Sequence, residues 1–263
     1  MNRQDKNLSA LLPYGQLASR YHLIEKGFSS HTLDNYLKSG KLVKVVPGFY
    51  KRPESRLSWQ AVVASLPDLV NGPVTAGGLT SLELQGFAQY LSLNNQHRVH
   101  LYSPESCSVR LKQVFRQMDV ELCWHTTGRL WKKGWPDADS LRQYQWREDA
   151  AAMVISSPEQ SILELLMGVP EETSFDHAEQ LMQGLTQLSP KRLDGLLHEC
   201  KNVKVKRLFF WLADRFQYPW RKKLDEHDYD LGSGKRVVAE GGKLDKRYNI
   251  TVPKELSGEQ LAG

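Results

Sequence analysis

Phe28-Ser29-Ser30-His31-Thr32-Leu33-Asp34-Asn35-Tyr36-Leu37-Lys38-Ser39-Gly40 runs directly into Lys41-Leu42-Val43-Lys44-Val45-Val46-Pro47-Gly48-Phe49-Tyr50-Lys51-Arg52. A helix starts at Ser29 or Ser30, whose hydroxyl can accept from an unpaired first-turn amide, and stops at Gly40. At about 100° per residue, Leu33 and Leu37 share one face with Tyr36 at its edge, while His31, Asn35 and Lys38 fall opposite with Asp34 beside them. Leu42 to Val46 then alternates weakly as a strand, Pro47-Gly48 is a turn signal, and Phe49 to Arg52 returns as a second strand before Pro53. A helix this small beside a charged ribbon makes a poor core but a good DNA reader.

Upstream, Leu17, Tyr21 and Ile24 fall at helical spacing, and Gly27 stands where a helix ends on a left-handed residue. This gives the first helix of a helix-turn-helix, with the hairpin as its wing. The spacing assigns base reading in the major groove to Ser30, His31, Thr32, Asn35 and Lys38. Asparagine pairs bidentately with adenine, lysine reaches guanine or phosphate, and Asp34 can accept from cytosine while repelling phosphate. In the wing, Lys41, Lys44, Lys51 and Arg52 would neutralise backbone phosphates and make binding salt-dependent. The competing reading is a winged helix used as a protein–protein module, with its basic residues simply solvated.

The charge distribution favours nucleic acid. The 263 residues carry a net charge of +5, yet residues 1–53 hold nine Lys or Arg against three Asp or Glu, leaving 26 basic and 27 acidic residues for the remainder. The whole positive excess therefore lies in the first fifth of the chain. With 40% hydrophobic residues the chain can bury a substantial core and is long enough for two domains. Cys107, Cys123 and Cys200 are widely spaced and form no CxxC pair, so neither a disulfide framework nor a zinc ribbon is expected. No apolar run reaches bilayer length, and the polar Asn2-Arg3-Gln4-Asp5-Lys6 lacks a signal-peptide core, which makes the cytoplasm the expected compartment and gives no membrane partner.

Further along, helices are expected over Ser58 to Leu66 and Thr75 to Gly86, buttressing the winged unit, with Leu79, Leu82 and Phe87 inward. The polar Asn94-Asn95-Gln96 marks a boundary. Strands follow at Val99 to Tyr102, Val120 to Thr126 and Gln143 to Arg147, with a helix near Val109 to Gln117. Ser157-Pro158 opens a helix with serine as cap and proline in the first turn. Others are expected at about Phe175 to Leu188, Pro190 to Cys200 and Val203 to Phe216, and a short β segment at Val237-Val238 and Tyr248 to Val252.

A second basic block holds Lys201, Lys204, Lys206, Arg207, Arg215, Arg221, Lys222 and Lys223, interleaved with Phe209, Phe210, Trp211, Phe216, Tyr218 and Trp220. It fits a second nucleic-acid surface, a contact for an acidic partner, or a core helix with a charged rim. Leu231-Gly232-Ser233-Gly234-Lys235-Arg236 lacks the GxxxxGK[ST] pattern of a phosphate loop and reads as a turn entering a strand. The eight histidines show neither HxxxH nor HExxH spacing, so no metal is expected; His97 and His100 read as strand-end residues. Asp137 and Glu199-Cys200-Lys201 are the only elements resembling those of a restriction-type nuclease, and no catalytic residue, metal or cofactor is assigned.

The pattern Gly27-Phe28-Ser29-Ser30-His31-Thr32, Leu37-Lys38-Ser39-Gly40-Lys41-Leu42 and Gly48-Phe49-Tyr50-Lys51-Arg52 does not stand alone. With Gly77-Gly78-Leu79-Thr80-Ser81-Leu82-Glu83-Leu84-Gln85-Gly86, Ser156-Ser157-Pro158-Glu159-Gln160-Ser161-Ile162-Leu163-Glu164-Leu165 and Val203-Lys204-Val205-Lys206-Arg207-Leu208-Phe209, it resembles the AbiEi antitoxin family across nearly the whole chain. The resemblance implies an antitoxin of a type IV toxin–antitoxin (abortive infection, phage-defence) module. Such a protein represses its own operon by binding inverted repeats in double-stranded operator DNA, and it counteracts a nucleotidyltransferase-type toxin without needing a stable complex with it. The sequence thus leads to an α/β (α+β) protein: a winged helix-turn-helix domain over 1–94, its core at 8–53, then a larger mixed α/β antitoxin domain over 95–263. A winged-helix regulator with a ligand- or partner-binding C-terminal domain is the alternative.

Overall fold

In the computed structural model, which describes residues 8–13, 15–88, 97–134 and 138–257, the chain forms two compact units that interleave in sequence. One comprises Met1–Ala76, Ser92–Thr126 and Gln143–Ile155; the other comprises Gly77–Leu91, Thr127–Arg142 and Ser156–Gly263. The Asn94-Asn95-Gln96 boundary and Asp137 lie outside the described residues.

The first unit begins with a helical turn over 8–11, then β1 (Ala18–Ser19), α1 (Arg20–Glu25), α2 (Ser30–Lys38), β2 (Val43–Val46) and β3 (Phe49–Lys51). β3 pairs antiparallel with β2 on one side and with β1 on the other, closing a three-stranded sheet around the hairpin. Leu8, Leu12, Ala18, Leu23, Phe28, Leu33, Tyr36, Leu42 and Tyr50 fill the small core, with Phe28 and Tyr36 edge to face at 6.1 Å. The helical spacing upstream selects the wrong stripe. α1 buries His22 and Leu23, while Tyr21 is 71% and Ile24 43% exposed, because a six-residue helix makes under two turns and its inward face is set by where the chain packs Phe28, just past Gly27.

α3 (Trp59–Ser65) completes this part of the unit: Ser65 Oγ accepts from the Leu17 amide at 2.9 Å. Thr75–Ala76 is a strand, β4, rather than the start of a helix, and the next helix, α4 (Gly78–Leu84), belongs to the other unit. β5 (His97–Ser103), α5 (Val109–Arg116) and β6 (Val120–Thr126) form a parallel strand pair with its crossover helix. With β7 (Leu141–Tyr144) and β8 (Met153–Ser156) they make a sheet of order β6-β5-β4-β8-β7. β8 has no counterpart among the expected strands, and β7 starts two residues before the expected one.

In the second unit α4, α6 (Pro158–Met167), α7 (Phe175–Gly184), α8 (Pro190–Glu199) and α9 (Val203–Ala213) share one apolar core. Pro158 to Leu166 is buried throughout, so α6 is central. It is joined to α4 by a buried polar cluster: Glu164 accepts from the Gly78 amide at 2.9 Å, Gln160 at 2.7 Å and Ser156 at 3.1 Å. β9 (Lys243–Asp245) and β10 (Ile250–Val252) form an antiparallel ribbon, joined through an Arg236–Ile250 bridge. Val237-Val238 is not one of its strands.

Candidate nucleic-acid interface

α2 presents its polar face because its ends and inner face are fixed. Ser29 caps it, accepting from the Thr32 amide at 3.0 Å and sharing a hydrogen bond with the Thr32 hydroxyl at 2.9 Å. Leu33 and Tyr36 are buried, so Ser30, His31, Asn35 and Lys38 are exposed and Thr32 is half-buried beside its cap. Asn35 Nδ2 donates to His31 Nε2 at 3.1 Å, one turn away, which leaves the amide oxygen of Asn35 as an acceptor.

The acid on this face is already neutralised. Arg20 donates to Asp34 at 2.8 Å and to the Ser30 carbonyl at 3.2 Å, tying α1 to α2. The guanidinium holds the Asp34 carboxyl below the usual carboxylate range. That pairing removes the repulsion Asp34 would otherwise exert on phosphate.

In the wing, Lys44 is exposed, and Lys41 stands over the Tyr36 ring at 5.4 Å. Lys51 is committed elsewhere: its ammonium donates to the carbonyls of Ser55 at 2.6 Å, Arg52 at 3.2 Å and Pro53 at 3.4 Å, closing the turn after β3. Arg52 is paired with Glu54. Both differ from the free phosphate contacts the sequence suggests.

α5 supplies charge that sequence reasoning places in the second domain. It carries Arg110, Lys112 and Arg116, all exposed, and no acid, over buried Leu111, Val114 and Phe115. It docks on the wing: Gln117 donates to the Val45 carbonyl at 3.1 Å, and Arg110 Nη1 stands 3.1 Å from where a Cβ on Gly48 would lie. Gly48 has φ +90°, so the wing turn needs glycine for its backbone as well as for this approach. The basic amphipathic pattern is legible in 109–116; its place beside residue 48 is not.

The second basic block is not a surface. Arg207 is 2% exposed and donates to four carbonyls, those of Leu231 at 2.7 Å, Gly234 at 2.7 Å, Gly232 at 2.9 Å and Asn249 at 3.0 Å. Lys204 donates to the carbonyls of Met167 at 2.9 Å and Val169 at 2.7 Å. Lys206 is buried, and burial lowers its ammonium below the usual range. Arg215 pairs with Glu179 and lies over Trp211, and Arg221 pairs with Asp214 at 2.7 Å and Glu226 at 2.8 Å. Only Lys201, Lys222 and Lys223 of this block are exposed. The core-helix reading is the one the structure takes: α9 is apolar on nearly all sides, and its cations satisfy carbonyls and carboxylates at the margin.

His100 is in mid-strand, not at a strand end; it is buried and exchanges a hydrogen bond with His125 at 3.0 Å. Burial first, then the neighbouring His125, lowers it to about 4. Cys200, between Glu199 and Lys201, is buried and pushed up to about 11 by that burial, which suits a packed thiol rather than a nucleophile. No described helix is long and apolar enough to cross a membrane.

Helix, strand, two helices and a hairpin, succeeded by a larger helical unit, define a mixed α/β protein whose first unit has the element order of a winged helix. The chain belongs to the AbiEi family: residues 1–93 match the transcriptional regulator, AbiEi antitoxin N-terminal domain, and residues 96–253 match the transcriptional regulator, AbiEi antitoxin, of type IV toxin–antitoxin systems. It is a family of regulatory antitoxins. No curated protein matches. The RV2827C protein from Mycobacterium tuberculosis has a similar structure at 14% identity and a TM-score of 0.55, covering 94% of this chain and 89% of that one; at this identity the likeness concerns the fold alone.

Proposed function

We propose that this antitoxin represses its own operon by binding inverted repeats in operator DNA through α2 and the adjoining wing, and that it counteracts a nucleotidyltransferase-type toxin encoded beside it. The observation that carries the DNA reading is the polar face of α2: an exposed His31, Asn35 and Lys38 in a field from which Arg20 has cancelled the acid. Asn35 and His31 offer acceptors and donors to base edges, and Lys38 and Ser30 reach guanine or phosphate. Lys41 and Lys44 in the wing, with Arg110, Lys112 and Arg116 on α5, contact phosphates alongside. Lys51 and Arg52 shape the wing instead.

The antitoxic part belongs to the second unit, where Arg207, Arg215 and Arg221 build the scaffold rather than the contact. A reporter fused to the operon's promoter, with the antitoxin supplied from elsewhere, tests repression. Repression lost on deleting residues 1–53, with rescue from the co-expressed toxin retained, is the expected result; repression that persists without those residues would overturn the assignment.

A further inference from the structure

Within the first unit, α1, the wing turn, residues 66–71 and the start of α5 line an open cleft of about 890 Å³, the size of a small-molecule site. Part of its lining is apolar. Tyr21 and Val109, each 71% exposed, belong to it, as do the half-buried Leu69 and Val70. Apolar side chains scattered singly over a surface need no explanation, but several lining one concavity suit a ligand.

The charges of the cleft are unevenly satisfied. Both of its acids have a polar neighbour: Glu25 accepts from the Tyr21 hydroxyl, which raises that hydroxyl above its usual range, and Asp68 Oδ1 stands 3.5 Å from His22 Nδ1. Two of its cations have none. Lys26 and Arg110 are exposed and make no hydrogen bond or ion pair among the described residues. A complementary occupant therefore brings an oxyanion for Lys26 and Arg110 and an apolar body for Tyr21 and Val109.

The third cation, Arg20, connects the cleft to α2. Its guanidinium donates to Asp34 and to the Ser30 carbonyl, and its amide donates to the Gly48 carbonyl at 3.3 Å. One residue thus reaches the cleft, the wing turn and the polar face, where Asp34 feels the charges of Lys38 and His31.

We propose that this cleft is an effector site for a small organic anion, a carboxylate or phosphate monoester on an apolar ring or chain, and that its occupation weakens DNA binding by drawing Arg20 from Asp34. The Arg20–Asp34 pair is exposed to solvent and so is weakly held, which lets a competing anion shift it. Asp34, once uncovered, repels phosphate. Binding in the cleft is independent of DNA, whereas the release rests on the DNA reading of α2.

Binding is measured on the full chain without DNA, by saturation-transfer NMR with phenyl phosphate and with benzoate, which separate the two kinds of anion. Inorganic phosphate and benzyl alcohol each supply one half of the ligand. At least one aryl anion is expected to bind with a Kd of about 5 mM or tighter, and more tightly than either half. Lys26→Ala with Arg110→Ala, and separately Val109→Trp, which fills the cleft, should each weaken it about tenfold. Neither aryl anion binding below about 5 mM, a half that binds as well as the whole, or either variant binding like wild type overturns the site.

Release is read by fluorescence anisotropy on the operon's promoter fragment, with ionic strength matched by chloride. The saturating aryl anion should lower wild-type affinity about fivefold, and Asp34→Asn, which has no charge to uncover, should lose most of that effect. No effect in wild type, or an equal effect in Asp34→Asn as competition at Arg110 alone would give, overturns the regulation. Wild type that does not distinguish promoter from random DNA overturns the DNA reading and the release with it, while the binding result obtained without DNA stands.

Discussion

Arg207→Met removes the fork that holds the Leu231–Gly234 loop and the Asn249 carbonyl to α9. Four hydrogen bonds of 2.7–3.0 Å from one buried cation disappear together. A charge-assisted bond is worth about 1.5–3 kcal/mol on deletion, but the four are not additive, because the glycine-containing loop can swing out and hydrate its carbonyls. The expected cost is about 3–5 kcal/mol, a large share of an ordinary domain's stability. Arg207→Lys recovers little of it, since an ammonium cannot reach carbonyls on four residues in the plane of a guanidinium. Urea unfolding followed by circular dichroism measures the cost, with Lys222→Met, exposed in the same block, expected to stay within about 0.5 kcal/mol of wild type. A loss below about 1 kcal/mol for Arg207→Met would refute the view that this block is scaffold.

The remaining predictions concern charge, pH and the wing turn. Replacing Lys44 and Arg110 by Ala should weaken operator and random DNA alike and reduce the salt slope of binding by about 0.9 for each phosphate no longer neutralised, measured by fluorescence anisotropy from low to moderate salt. Gly48→Ala forces a side chain into φ +90° and 3.1 Å from Arg110, so it should destabilise the first unit by about 1 kcal/mol or more in urea unfolding. Two carboxyls, the half-buried Glu226 and the buried Glu164, give opposite pH signatures. Burial raises Glu226, but hydrogen bonds from Arg247 and Arg221 outweigh it and hold the group at about 2, against an ordinary 4.5. Its stabilisation is present above 4.5 and lost as pH falls towards about 2, and Glu226→Gln should flatten thermal stability in that window. Burial pushes Glu164 up to about 7 against hydrogen bonds from Gln160, Gly78 and Ser156, so its contribution is full below 4.5 and declines as pH rises through about 7; Glu164→Gln should abolish that decline.

α2 is legible because local signals agree there: a serine cap, a left-handed glycine at Gly40, and an apolar stripe with Leu33 and Tyr36 inward. α6 to α9 are legible for the same reason, each opened by a capping Ser or Asn that its helix uses. Tyr21 and Ile24 mislead because the apolar period of so short a helix does not decide which face meets the core. The basic block misleads differently: Lys204, Arg207, Arg215 and Arg221 read as surface in one dimension, and only the arrival of Val169, Leu231, Glu179, Leu256 and Tyr248 from distant sequence shows what they hold. Arg110 beside Gly48 is the converse case, a long-range approach that adds charge to the candidate interface where the sequence implies a separate domain.

The most direct test of DNA reading by α2 is the affinity of the His31→Ala, Asn35→Ala, Lys38→Ala triple variant for a labelled fragment of the operon's own promoter. These side chains are exposed, so the fold should be retained by circular dichroism. Discrimination between promoter and random DNA is expected to disappear, while the weak, salt-sensitive binding from the wing and α5 persists. Full promoter affinity in a folded triple variant would contradict base reading by this helix.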